Sequence, residues 1–222
     1  MPERPTIAVI GGTGALGSGL AKRLARAGYP IIIGSRDPAK AKAAAGALGL
    51  GQVRGAGQAE AARESSVVIL AVPYASQAET LAAIAPACAG KLVIDTTVPL
   101  VPPKVGTVQL PADGGGAAAR ARRALDTSAR VTSAFHNVSA AKLQGEGEIE
   151  CDVLVFGDAA EDREATIRLV EAAGLRGFHG GPLANSVAAE ALTSVLITIN
   201  RLYKVDGAGI RIVGKRTDGT AL

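Results

Sequence analysis

Short, continuous runs of apolar residues alternate with longer Ala-rich stretches through the first half of the chain. A run that stays apolar without alternation is typical of a strand buried on both faces of a parallel sheet. Such runs predict strands at residues 6–10, 31–33, 66–73 and 91–95, with a further short strand at 52–54. Helices are predicted between them, and Asp37 and Pro38 are residue types preferred at a helix start. This order predicts a Rossmann-type α/β fold, a doubly wound parallel sheet with right-handed crossovers.

The pattern changes after residue 99, where a Pro- and Gly-rich segment at 101–116 predicts a loop. Beyond it we predict strands at residues 130–135, 151–156 and 209–213 and helices at 117–125, 162–173 and 184–203. His179 lies in the sequence GFHGG, which we interpret as a Gly-rich turn. We expect a Rossmann domain at residues 1–140 and a smaller C-terminal region at residues 141–222.

The composition and charge of the chain limit the classes of ligand that it is expected to bind. The 222 residues are 48% hydrophobic and 20% charged, which suits one α/β domain with a sizeable core and a small appendage. The formal charge of +4 favours anionic small molecules, because no long Lys/Arg run with interleaved aromatic residues supports nucleic acid. No His/Cys/Asp set has the spacing of metal ligands, so no metal is expected.

Several features predict a reduced, cytoplasmic setting. The cysteines, Cys88 and Cys151, lie beside or within apolar runs and are expected to be structural thiols. The N-terminus lacks the pattern of a signal peptide, and no uninterrupted apolar stretch reaches membrane-spanning length. The predicted helix at residues 184–203 is apolar on more than one side, so we expect it to be buried in the core or at a homodimer contact.

A Gly-rich motif follows the first predicted strand and opens a helix. Gly12, Gly14 and Gly17 form the pattern G-x-G-x-x-G. Gly12 is expected to permit the tight turn, Gly14 to let a pyrophosphate approach the backbone, and Gly17 to let the helix pack close to the sheet. The helix N-terminus would supply free N–H groups to the phosphates. We interpret the motif as a dinucleotide-binding turn.

The end of the second strand, in the sequence GSRDPAK, lacks the carboxylate that usually binds the ribose hydroxyls of NAD. Ser35, Arg36 and Lys40 would instead hold the 2′-phosphate of NADP, to which a carboxylate would be repulsive. Asp37 is expected to point away, because its position before Pro38 suits a helix cap. The alternative for Arg36 and Lys40 is solvated surface charge.

His136 follows the end of a predicted strand and is expected to face the ligand cleft. A histidine titrates near neutral pH, so it could hydrogen-bond or protonate a heterocycle. A histidine that caps the strand or bonds the backbone is an equally good interpretation of the residue alone.

Four segments together resemble the NADPH-dependent reductases of the deazaflavin coenzyme F420, the F420:NADP oxidoreductases. They are VIGGTGALGSGLAKRLARAGYPIIIGSRDPAK, AVPY, VTSAFHNVSAAKL and GLRGFHGGPLANSVAAEALTSVLITINRLYKVDGAGIRI. The last two are far more specific than the glycine motif. Two departures from the family's pattern lie near the expected acceptor site, since Ser139 replaces a proline and Tyr74 a bulkier aromatic residue.

The resemblance implies an oxidoreductase that transfers a hydride between NADP(H) and F420, with the C-terminal region helping to form the deazaflavin site. Besides Gly12 and Gly17, the residues implied on the NADP side are Thr13, Gly14, Ala15 and Leu16 at the pyrophosphate, Ser35, Arg36 and Lys40 at the 2′-phosphate, and Tyr74, Ala78 and Ala140 at the nicotinamide. Those implied on the deazaflavin side are His136, Val138, Pro182, Leu183, Asn185 and Ser186, and His136 is the candidate catalytic residue. Two alternatives stay open: an NADPH-dependent FMN/FAD or ferric reductase-like enzyme, and a non-catalytic NADP-binding redox sensor.

Overall fold

A computed structural model describes residues 4–100, 115–220 and 222, and its centre is an eight-stranded sheet of order β3-β2-β1-β4-β5-β6-β7-β8. The first six strands are parallel, β7 is antiparallel to β6, and β8 is parallel to β7. This arrangement confirms the predicted α/β fold class. The strands are β1 (Ile7–Ile10), β2 (Ile31–Ser35), β3 (Val53–Gly57), β4 (Val67–Leu70), β5 (Leu92–Asp95), β6 (Arg130–Ser133), β7 (Asp152–Gly157) and β8 (Arg176–Gly181).

Helices cover both faces of the sheet, as the continuously apolar strands require. One face packs on α1, α2, α6 and α7, and the other on α3, α4 and α5. The helices are α1 (Ala15–Arg26), α2 (Pro38–Leu48), α3 (Gln58–Arg63), α4 (Tyr74–Ile84), α5 (Ala117–Ala124), α6 (Ala140–Gln144), α7 (Ala160–Ala172) and α8 (Ser186–Tyr203), with short 3-10 turns at Ala85–Ala87 and Leu183–Asn185.

Asp37 caps α2 as the sequence predicts. Its carboxylate accepts hydrogen bonds from the backbone N–H groups of Ala39 (2.9 Å) and Lys40 (3.3 Å), and Pro38 is the first helical residue. Both bonds satisfy donors that the first turn of a helix leaves without intrahelical partners. Asp37 is therefore turned away from the end of β2.

Two predicted elements are wrong in the second half. The sequence around His179 is a strand, β8, rather than a turn, and residues 209–213 form no strand. Close packing explains the glycines of β8: a Cβ at Gly180 would lie 2.3 Å from the Phe156 ring, and one at Gly177 would lie 3.1 Å from Ile167. The predicted loop at 101–116 lies, up to residue 114, outside the described residues.

The last helical segment, Leu183–Tyr203, is long and apolar enough to cross a membrane when length and composition alone are considered. Buried core helices meet the same criterion, and 33% of the most apolar window of this segment lies inside the protein. Its buried residues include Glu190 and Ser194, whereas Leu202 and Tyr203 near its end are exposed.

Candidate functional site

The carboxyl ends of the parallel strands meet at one edge of the sheet, where two adjoining cavities of about 180 and 400 Å³ open. Both are lined by Gly14 and by the segment 71–73 that follows β4, so they form one continuous groove. Ligands of open α/β sheets bind at this edge, where the strand order reverses on the two sides of β1. The groove is therefore the candidate binding site.

The Gly-rich turn forms one wall of the groove. Gly11 has a φ of +85° and is the residue of this turn with left-handed backbone. It lies one position before Gly12, the glycine that we expected to permit the tight turn. A Cβ at Gly17 would lie 2.5 Å from the Gly11 carbonyl oxygen, which explains the close approach of α1. Gly14 is the N-cap of α1 and supplies no side-chain cap, and the first turn carries no acidic residue. This helix start leaves its N–H groups and positive dipole end available to phosphates.

Ser35 and Arg36 line the smaller cavity at the end of β2. The Ser35 hydroxyl oxygen accepts a hydrogen bond from the Asp37 backbone N–H (3.2 Å). Nη1 of Arg36 lies 3.7 Å from Oε2 of Glu79 on α4, and both side chains are exposed. Lys40 is exposed on the first turn of α2, outside the lining of the two cavities.

The larger cavity contains one of the three residues expected at the nicotinamide. Tyr74 lines it together with Thr96 and Thr97, and the guanidinium of Arg120 stacks 4.3 Å from the centre of the Tyr74 ring and donates a hydrogen bond to its hydroxyl. Ala78 is exposed on α4, and Ala140 begins α6; neither lines the two cavities. Arg120, on α5, is a neighbour of Tyr74 that the sequence alone does not reveal.

His136 is buried rather than open to solvent, with 6% of its surface exposed. The preceding Phe135 has a φ of +64°, a conformation uncommon outside glycine, and the turn brings His136 Nε2 within 2.6 Å of Ser133 Oγ. Burial lowers the pKa of His136 to about 3, so the ring is neutral at pH 7. Its Nδ1 has no hydrogen-bond partner among the described residues. The left-handed backbone lies at Phe135 and the unpartnered nitrogen at the next residue, and His136 lines neither of the two cavities.

The other residues expected on the deazaflavin side divide into buried and exposed positions. Val138 and Leu183 are buried in the two apolar cores, and Ser186 donates a hydrogen bond to Glu190 (2.9 Å). Pro182 and Asn185 are exposed. Ser139, which departs from the family's proline, caps α6 by accepting a bond from the Lys142 N–H (3.4 Å).

A buried polar cluster behind the groove was missed by the sequence analysis. Gln77 Nε2 donates to Asp95 Oδ2 (2.5 Å) and to the Ala117 carbonyl oxygen (2.9 Å). Burial raises the pKa of Asp95 to about 7, the Glu190 carboxylate acts in the same direction, and hydrogen bonds from Thr97 and Gln77 oppose the rise. Burial also raises the pKa of Glu190. Asp95 at the end of a predicted strand could have indicated this cluster, because polar residues at the carboxyl ends of parallel strands lie near the edge of the sheet where ligands bind.

No group of three or more His, Cys, Asp or Glu side chains in the described ranges could hold a metal ion. Cys88 and Cys151 are both free and buried, and burial raises the pKa of each thiol. The polar groups that line the two cavities include backbone amides of the glycine turn, hydroxyl groups such as those of Ser35 and Thr97, and the Arg36 guanidinium.

The chain is similar in sequence to known oxidoreductases. Residues 6–99 match the family model described as NADP oxidoreductase, coenzyme F420-dependent. The F420-dependent NADP reductase of Methanothermobacter marburgensis is 42% identical over 217 residues, which cover 93% of this chain and 97% of that protein. The rat metalloreductase STEAP3 is 29% identical over 192 residues, which cover 86% of this chain and 36% of that protein.

A solved structure from Arthrobacter sp. FB24, described as a candidate F420-dependent NADP reductase, matches with a TM-score of 0.82 at 25% identity and covers 94% of this chain and 99% of that one. The similarity thus extends over the sheet, the groove and the C-terminal helix together. The chain belongs to the family of F420-dependent NADP reductases, oxidoreductases whose two coenzymes are NADP(H) and the deazaflavin F420.

Proposed function

We propose that the groove binds NADP(H) along its length, with the 2′-phosphate at Ser35, Arg36 and Lys40 and the nicotinamide beside Tyr74. Two adjoining cavities joined at Gly14 suit an elongated dinucleotide whose pyrophosphate lies in the middle. The observation that carries the assignment is the end of β2. There the Asp37 carboxylate is occupied by the start of α2, while a hydroxyl and a guanidinium line the cavity.

A binding comparison tests the phosphate contact. Arg36→Ala removes a charge-assisted interaction and is expected to weaken NADPH binding about ten- to a hundredfold while NADH binding stays within about twofold. Lys42→Ala, an exposed change farther along α2, is the matched control. Equal affinity of the Arg36 variant and the wild type for NADPH would contradict the assignment of Arg36 to the 2′-phosphate.

The reaction is a hydride transfer between NADP(H) and F420, in which the nicotinamide and deazaflavin rings supply the donor and acceptor carbon atoms. We propose that the chain's own task is to stack the two rings at a near-attack distance of about 3–3.5 Å and to keep water out. The small residues at 139–141 and Ala184, which are not buried, suit close contact between backbone and flat rings.

His136 fits the role of a neutral hydrogen-bonding residue at the deazaflavin better than that of a general acid. Its pKa of about 3 leaves almost no imidazolium at pH 7, so solvent or another group would supply the proton. Its Nδ1 is buried and has no partner among the described residues, so contact with a polar heterocycle would require the groups that cover it to move.

A second candidate acceptor is a flavin, and the similarity to a metalloreductase over most of this chain favours testing it. NADPH oxidation measured with F420, FMN and FAD separately decides between them. The proposal predicts turnover with F420 that exceeds turnover with either flavin by at least about tenfold. A rate confined to FMN or FAD would overturn it.

We further propose that the protein is a cytoplasmic homodimer. The exposed apolar side chains of Val195, Leu202 and Tyr203 on α8 support pairing of two copies along this helix. Light scattering after size exclusion is expected to give twice the chain mass, and Leu202→Glu together with Tyr203→Glu to give the monomer. A monomeric wild-type protein at micromolar concentration would contradict the pairing.

A further inference from the structure

An exposed ion pair between β2 and α4 lies beside the smaller cavity. Ser35 and Arg36 form its wall at the end of β2, and Ser76 and Thr80 on α4 form part of the rest of its lining. Glu79 precedes Thr80 on the same helix, and its Oε2 lies 3.7 Å from Arg36 Nη1. The guanidinium assigned to the 2′-phosphate thus has a carboxylate as its counter-ion.

We propose that Glu79 is a specificity-determining residue that competes with the 2′-phosphate of NADP(H) for Arg36. The inference rests on the phosphate assignment made above. When NADPH enters, Arg36 exchanges a carboxylate partner for a phosphate, and the Glu79 carboxylate is left close to a dianionic group. NADH has no phosphate there, so it binds without disturbing the pair. Glu79 therefore weakens NADPH binding selectively.

The expected size of the Glu79 effect on NADPH binding follows from the solvent exposure of the two charged side chains. The side chains of Arg36 and Glu79 are 66% and 72% exposed, so solvent screens their attraction and the pair is easily exchanged. The residual repulsion between Glu79 and the phosphate acts over a few ångströms, well within the Debye length of about 8–10 Å in physiological salt. We expect Glu79 to weaken NADPH binding by about two- to fivefold, within the range of exposed charge interactions.

The test compares dissociation constants for NADPH and NADH by equilibrium titration at low and high salt. The variants are Glu79→Gln, Arg36→Ala and the double variant, with Glu64→Gln as control because it breaks an exposed Arg–Glu pair on Arg54, away from both cavities. Glu79→Gln is expected to tighten NADPH binding about two- to fivefold at low salt, less at high salt, and to leave NADH binding unchanged. The gain should vanish in the Arg36→Ala background, and Glu64→Gln should change neither constant.

The outcomes separate this inference from the assignment on which it rests. If Arg36→Ala weakens NADPH binding but Glu79→Gln does not tighten it, Glu79 is no competitor and the phosphate assignment stands. Weaker NADPH binding in Glu79→Gln would mean that Glu79 orients Arg36 for the phosphate, which overturns the inference. Equal tightening for NADPH and NADH would overturn it as well. If Arg36→Ala has no effect on NADPH, both proposals fail.

Discussion

The carboxylate of Glu190 on α8 caps the first turn of α5, where Oε2 accepts a hydrogen bond of 2.6 Å from the Ala117 backbone N–H. Oε1 accepts a second bond from the Ala118 N–H at 3.2 Å. The helix start is shaped for this contact, because a Cβ at Gly116 would lie 2.0 Å from Oε2. A side chain from the C-terminal helix thereby fixes the helix that carries Arg120, the residue stacked on Tyr74. Helix α5 thus connects the C-terminal helix to the Tyr74 side of the groove.

Removal of this cap is expected to destabilise the fold. Glu190→Ala leaves two buried N–H groups and the Ser186 hydroxyl without their acceptor, which costs roughly 2–4 kcal/mol of unfolding free energy. Glu164→Ala, at an exposed position of α7, is expected to change it by less than about 0.5 kcal/mol. Urea denaturation measures both. A loss below about 1 kcal/mol for Glu190→Ala would show that the contact adds little.

Gly116 offers an independent probe of the same contact. The methyl group of Gly116→Ala would displace the Glu190 carboxylate, so we expect a lower melting temperature by at least about 5 °C. Gly147→Ala is the matched control, since a Cβ there meets nothing within 4 Å and the residue is not left-handed. Equal melting temperatures for the two variants would contradict the predicted clash.

Asp95 is expected to make stability fall as pH rises. Its pKa is about 7 in the folded protein against an ordinary value of 3.8, so between these values the folded state holds a proton that the unfolded state has released. The stabilisation is complete below about pH 4, is lost through pH 7, and amounts to about 4 kcal/mol for three pH units. The measurement is the urea midpoint of unfolding for the wild type and for Asp95→Asn from pH 5 to 8. The midpoint of the wild type should fall more steeply with rising pH than that of the variant.

The comparison with the Asp95 variant isolates this contribution from that of His136, which has the opposite sign. The lowered pKa of His136 means that its contribution is present above about pH 6.5 and is lost as pH falls toward 3. Both proteins keep His136, so the difference between their slopes reports Asp95. Parallel slopes would show that Asp95 titrates normally.

Gly17 is expected to control binding of both nicotinamide coenzymes. In Gly17→Ala the methyl group would lie 2.5 Å from the Gly11 carbonyl oxygen and push the start of α1 away from the turn. NADPH and NADH should then bind about tenfold more weakly alike, because the phosphates shared by both coenzymes lose their helix start. Gly46→Ala, in α2 with no atom within 4 Å of its Cβ, should leave binding unchanged and add about 0.5–1 kcal/mol of stability.

The neutral state of His136 predicts a flat pH dependence. Between pH 5.5 and 8 the rate with saturating coenzymes should show no ionisation attributable to His136, because its pKa lies near 3. His136→Gln keeps a hydrogen-bonding side chain and is expected to lower the rate without altering the shape of the profile. An inflection near pH 6.5 in the wild type that disappears in the variant would mean that the ring titrates during turnover.

Local signals account for the elements that the sequence predicted well. The buried strands β1 and β4 are apolar throughout, and β2 and β5 are apolar up to their last residues, Ser35 and Asp95. The Asp37 cap depends on residues within one turn. Strand β8 was missed because its stability comes from pairing with β7 and from packing of Phe156 and Ile167 against its glycines, which are distant in sequence. Residues 209–213 show an alternating apolar pattern, but they meet β7 through isolated bonds, such as Asp152 N–H to the Ile210 carbonyl oxygen.

The residues of the candidate site likewise divide into those that a local sequence motif predicts and those that only the fold brings together. The glycine turn and the Ser35–Arg36 corner are contiguous motifs, and the structure brings them to one cavity. Glu190 looked like a polar interruption of an apolar helix, because its partners lie 72 and 73 positions away on another element. Glu79 was likewise one charge among many on helix surfaces until the fold set it opposite Arg36.

The reversal of direction at β7 changes the shape of the sheet at the edge where the parallel strands end. Two residue pairs, Thr132 with Gly157 and Ser133 with Phe156, join β6 to β7, so most of β7 extends beyond the last residue of β6. Strand β8 pairs in parallel with β7 from Asp152 to Phe156, with one register shift between Val155 and Phe156. Strands β7 and β8, which are parallel to each other and antiparallel to the other six, thus extend past the edge where those six strands end, as a seventh parallel strand in the same position would not.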